Sequence, residues 1–180
     1  MQHPIVSRDE WLAARKQLLV REKELTGLRD RLAAERRALP WVKVEKPYVF
    51  EGPNGNETLA DLFGGRSQLI IKHFMLGPGW TEGCVGCSFE LDHVDGILVH
   101  LAQRDVSYVA VSRAPLSEIE AFKEQMGWHI KWVSSAGGDF NYDFHVSFGP
   151  KLPKARAITT MKSAGSGSRN FPAAASFTKT

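Results

Sequence analysis

The chain has 180 residues, 43% hydrophobic and 24% charged, with two cysteines and a formal net charge of +3. That composition suits one globular domain with appendages, and its apolar runs are far too short to span a bilayer. The charge is uneven: Lys151, Lys154, Arg156, Lys162, Arg169 and Lys179 stand in a stretch without acids, leaving 17 basic and 20 acidic residues elsewhere. A mildly acidic body does not call for a nucleic-acid partner.

Met1-Gln2-His3-Pro4 lacks the basic start and apolar core of a secretory signal. The expectation is a reducing cytoplasm, with no membrane partner. Ser7-Arg8-Asp9-Glu10 fits a capping box, a hydroxyl followed three residues later by a carboxylate. It predicts a helix to about Ala38, stopped before Pro40. Trp11, Leu18, Leu25, Leu32 and Leu39 recur every seven residues along it. At 1.5 Å per residue such a helix measures about 46 Å, more than the width of a compact domain. The companion positions Ala14, Arg21, Leu28 and Glu35 are only half apolar, unlike a strict coiled coil. The expectation is a homodimer to which this helix contributes.

Tyr48-Val49-Phe50 reads as a strand and Gly52-Pro53-Asn54-Gly55-Asn56 as turn chemistry. Residues 58–63 read as a short helical turn. A core strand runs from Gln68 to Met75, a helix from Ser88 to about Gln103, and a strand from Val106 to Val111. A helix follows Pro115 and stops at Gly127, and a last strand spans Trp128 to Val133. The order β-α-β-α-β predicts three parallel strands joined by right-handed crossovers.

Cys84-Val85-Gly86-Cys87 falls between the first core strand and its helix. A C-x-x-C at a helix N-terminus points to redox chemistry. Free backbone N–H groups and the helix dipole favour thiolate, the nucleophilic form. Metal binding and inert thiols are the alternatives. His73 and His93 are the available extra ligands, but structural zinc sites show a second paired motif and none exists here. No metal and no cofactor are expected.

The chain resembles the thioredoxin-like superfamily. Within it, it resembles a bacterial family of predicted dithiol–disulfide oxidoreductases, long treated as a domain of unknown function. The likeness is carried by Arg8-Asp9-Glu10-Trp11-Leu12-Ala13-Ala14-Arg15, Tyr48-Val49-Phe50-Glu51-Gly52-Pro53, His73-Phe74-Met75, Gly83-Cys84, Cys87-Ser88, Val109-Ala110-Val111-Ser112-Arg113-Ala114-Pro115, Met126-Gly127-Trp128 and Asp139-Phe140-Asn141-Tyr142-Asp143-Phe144. It covers about residues 5–148. It implies an α/β fold with a thioredoxin-like central sheet and a long N-terminal helix. The implied organisation is a helical arm over 1–40, a thioredoxin-like domain over 41–148 and a basic low-complexity tail over 149–180.

Thioredoxin-like folds finish with an antiparallel hairpin, which residues 149–180 do not read as. The tail is expected to be disordered and the first core strand to lack its usual neighbour. Neither Pro150 nor Pro153 matches the proline that usually faces the cysteines.

The resemblance implies a thiol–disulfide oxidoreductase acting on a protein or small-molecule thiol or disulfide, with Cys84 as nucleophile and Cys87 as resolving thiol. Trp80, Thr81 and Tyr142 are site-lining candidates. Thr81 stands three residues before Cys84, as in the P-x-x-x-T-x-x-C of peroxiredoxins, although Gly77 fills the proline position. A thiol peroxidase with Cys84 as peroxidatic residue is the second reading. A non-enzymatic oligomeric module, inactive through its altered C-terminus, is the third.

Overall fold

The computed structural model describes residues 3–147 and the backbone of residues 174–178. The chain divides into two units, residues 1–45 and residues 46–180. The first is dominated by helix α1, Arg8–Arg37, and no residue of this helix is buried. Its start is the expected capping box. The Glu10 N–H donates to Ser7 Oγ at 3.3 Å, and the Ser7 N–H donates to Glu10 Oε2 at 2.9 Å. Asp9 and Glu10 in the first turn and Arg36 and Arg37 in the last complement the helix dipole.

The second unit is a mixed sheet with helices. Strands β1 (Val49–Gly52) and β2 (Gly55–Thr58) form an antiparallel hairpin. Gly55 turns it at φ 108°, a conformation that favours glycine. Strand β3 (Gln68–His73) leads to helix α2 (Val85–Val94), a single 3-10 turn at Asp95–Ile97, and helix α3 (Leu98–Gln103). Strand β4 (Val106–Ser112), helix α4 (Leu116–Met126), strand β5 (Lys131–Ser134) and helix α5 (Phe140–Asp143) follow. Strand β6 (Ala174–Thr178) completes the sheet, in the order β2-β1-β5-β4-β3-β6.

Strands β3, β4 and β5 are parallel, as the crossover pattern predicts. This is the expected α/β arrangement, with a cysteine pair at the start of the helix that follows a parallel strand.

Three expectations change. The helix expected over 88–103 starts at Val85 and is broken by the 3-10 turn at Asp95–Ile97, where Asp95 turns to other work: it accepts from the N–H groups of His129 and Ile130, each at 2.8 Å. Trp128 and Ile130, expected within the last strand, are buried but precede β5, because their N–H groups bond to Lys123 and Asp95 and not to a neighbouring strand. The expected bare edge of β3 is covered. Strand β6 pairs antiparallel with it, from Gln68 opposite Thr178 to Lys72 opposite Ala174. The remaining tail expectations, Pro150 and Pro153 among them, lie outside the described residues.

The strand alternation divides the core. Leu69, Ile71, Val109 and Val111 pack with Tyr48, Phe50, Leu62 and Phe140 on one sheet face. Ala110 and Trp132 pack with Phe74, Leu91, Ile119, Trp128 and Cys87 on the other. Burial of each large apolar side chain contributes about 1.5–3 kcal/mol. No helix among the described residues is long and apolar enough to cross a membrane.

Candidate functional site

The cysteines are held by the carboxyl end of β3. The Phe74 N–H donates to the Val111 carbonyl at 2.9 Å and the Cys84 N–H to the Met75 carbonyl at 3.2 Å. The loop before Cys84 is thereby tied to the strand it left. Gly83 fits between two rings: a Cβ there would lie 2.8 Å from a Phe74 carbon and 2.9 Å from two Phe122 carbons. Cys84 is the N-cap of α2 and its carbonyl accepts from the Ser88 N–H at 2.9 Å.

Both cysteines are free thiols, Cys84 half-buried and Cys87 fully buried. Burial pushes the Cys87 thiol up to about 11. A hydrogen bond from the Met75 backbone and the charge of Lys72 oppose that rise, while contact with Cys84 adds to it. The pair is therefore unequal: a half-buried cysteine at the helix start and a fully buried one a turn behind it.

Sequence reading missed the group beside Cys87. Lys72, inside the apolar run Leu69–Met75, is wholly buried. Its ammonium pairs with Glu90 of α2, whose other oxygen accepts from the Tyr108 hydroxyl at 3.1 Å. Burial, then the Glu90 carboxylate, raises the Tyr108 phenol. The signal in the sequence is a lysine at an inward strand position with an acid three residues beyond Cys87, on the same helix face.

His73 lies elsewhere. Its ring stacks on Phe140 with centroids 5.3 Å apart, and neither nitrogen has a hydrogen-bond partner among the described residues. Burial, then Lys72, lowers it to about 4. His93 bonds the Phe89 carbonyl through Nδ1 at 2.7 Å. Among the described residues no three His, Cys, Asp or Glu side chains converge on a point.

The three lining candidates separate. Trp80 is 55% exposed, with its ring against Gly77. Thr81 is exposed and makes no hydrogen bond among the described residues. Tyr142 is half-buried and carries the Arg113 guanidinium over its ring, 5.0 Å from the centroid. Helix α5, which holds Tyr142, is tied to Lys46, which pairs with Asp139 at 2.9 Å and Asp143 at 2.7 Å.

Among solved structures the chain is similar to a peroxidoxin, BcpB, from Mycobacterium tuberculosis. The identity is 19% and the TM-score 0.49, over 59% of this chain and 66% of that one, just under two thirds of its length. It is similar to a mutant of PrxQ from Xylella fastidiosa, at 15% identity and TM-score 0.47, over 63% and 72%. It is also similar to a secreted M. tuberculosis disulfide oxidoreductase homologous to E. coli DsbE, at 15% identity and TM-score 0.42, over 57% and 70%. No curated protein matches the chain. One family matches residues 1–180 throughout, and the chain belongs to it: the bacterial proteins of unknown function designated DUF899.

Proposed function

We propose that the protein is a thiol–disulfide oxidoreductase working through Cys84 and Cys87. The observation that carries this reading is the unequal pair: Cys84 half-buried at the N-cap of α2, and Cys87 buried behind it. The Cys84 sulfur attacks a substrate disulfide, forming a mixed disulfide and releasing one substrate sulfur as thiolate, which takes a proton from water. Cys87 keeps its proton near neutral pH, since burial raises it. It therefore acts second. It loses that proton to the departing sulfur, attacks Cys84 and closes the Cys84–Cys87 disulfide. The substrate gains two electrons and two protons, and the pair loses them. A thiol substrate drives the reverse sequence.

Thiol trapping across a glutathione redox series tests this. The expected result is reversible two-electron oxidation of one dithiol. Stoichiometric sulfenic acid at Cys84 with dilute peroxide would transfer the site to the peroxidase reading. Thiols that stay reduced across the series would leave a non-enzymatic module.

A further inference from the structure

Arg113 has no carboxylate partner among the described residues and lies over the Tyr142 ring. The acids on either side of Tyr142 are engaged. Asp139 and Asp143 pair with Lys46, and Asp143 also accepts from the Tyr48 hydroxyl at 2.8 Å. Glu118 accepts from the Gly79 N–H at 2.9 Å. An aromatic face under a guanidinium holds its plane while leaving the N–H fork open.

The backbone brings this residue to the cysteine loop. Cys84 is bonded through its N–H to the Met75 carbonyl, and Ala114, next to Arg113, through its N–H to the neighbouring Leu76 carbonyl at 3.0 Å. The two residues thus flank one short segment at the carboxyl end of β3, where open α/β sheets place their ligands. Arg113 itself is half-buried.

We propose that Arg113, seated on Tyr142, is an anion site for a carboxylate carried by the thiol or disulfide that reacts at Cys84. This names the substrate class of the oxidoreductase reading and rests on it. A planar carboxylate matches the guanidinium fork with two parallel hydrogen bonds. Arg113 makes and breaks no covalent bond and moves no proton; it holds the substrate while the sulfurs exchange.

The test uses the full chain carrying Cys87→Ser, so that Cys84 is the single thiol. Its alkylation is timed with iodoacetate, an anion, and iodoacetamide, its neutral counterpart. Both react with the same thiolate, so their rate ratio reports a nearby cation and cancels any change in ionisation. Arg113→Gln should lower the iodoacetate-to-iodoacetamide ratio by about fivefold or more at low salt, and added salt should shrink the difference. Arg113→Lys should restore most of the ratio, and Tyr142→Leu should lose part of it. With both cysteines present, Arg113→Gln should also lower the preference for glutathione disulfide over the neutral hydroxyethyl disulfide. An unchanged alkylation ratio in Arg113→Gln overturns the anion site even where disulfides are reduced. A shifted ratio without reduction of either disulfide leaves the anion site standing and removes the oxidoreductase reading instead.

Discussion

Lys72 and Glu90 form an ion pair of unequal burial: the ammonium is wholly enclosed, while the carboxylate side chain is 35% exposed. The two partners should not be interchangeable. Glu90→Gln leaves an enclosed ammonium without its counter-charge and should cost about 3–5 kcal/mol. Lys72→Met fills similar volume without charge and leaves a carboxylate that water can reach, so about 1 kcal/mol or less is expected. Urea unfolding of both variants checks the order, and a larger loss for Lys72→Met would refute it.

The thiols should differ in rate. Cys84 should alkylate first near neutral pH, because Cys87 is buried and burial raises it to about 11. Cys87→Ser should accumulate mixed disulfides through Cys84. Mass spectrometry of peptides after timed alkylation reads both, and equal slow labelling would be inconsistent with the assigned roles.

His73 predicts acid sensitivity. The ordinary value is 6.5 and the folded value about 4, lowered by burial and then by Lys72. The unfolded chain therefore binds this proton at a pH where the folded chain does not. The contribution to stability is complete above 6.5 and declines as pH falls toward 4. By about pH 5 the loss should reach about 2 kcal/mol. His73→Leu should flatten the urea midpoint between pH 6.5 and 5; an unaltered slope would exclude His73 as its source.

Strand β6 corrects the expectation of a bare β3 edge. Its five residues pair along β3, so removing residues 174–180 uncovers that edge, and bare edges pair with other chains. The truncated protein should show faster amide exchange in β3 and a greater tendency to aggregate. Exchange as slow as in the full chain would mean that β6 contributes nothing to the edge.

Trp11, Leu18, Leu25 and Leu32 of α1, with Leu39 just beyond its end, are between 43% and 63% exposed. Leu12, Leu19 and Leu28 are exposed beside them, and a stable interface buries about 800 Å² per partner. We propose that a second copy of the chain covers them. Leu25→Glu should shift sedimentation toward monomer, and a wild-type monomer at high micromolar concentration would remove the idea.

Elements marked by local chemistry were legible in the sequence. Ser7 and Glu10 announced α1, Gly127 ended α4, and the spacing of apolar runs gave three parallel strands. Cys84 at a helix start followed from the loop before it. What escaped depends on distant partners. The inward lysine at position 72 is intelligible only once Glu90 and Tyr108 are beside it. Tyr142 was named without a task, because Arg113 lies 29 positions before it. Strand β2 was hidden by turn residues, and β6 by small residues whose pairing comes from the open edge of β3 and not from their own pattern.

The glycine at position 83 has a consequence for how this site can vary. With ring carbons of Phe74 and Phe122 at 2.8–2.9 Å from any added Cβ, a larger residue must displace either an aromatic ring or the backbone entering Cys84. Phe74 is buried and its ring resists displacement, so part of the strain bears on the backbone that enters Cys84. An atom with no chemistry of its own, absent from this position, thereby governs where the reactive one stands.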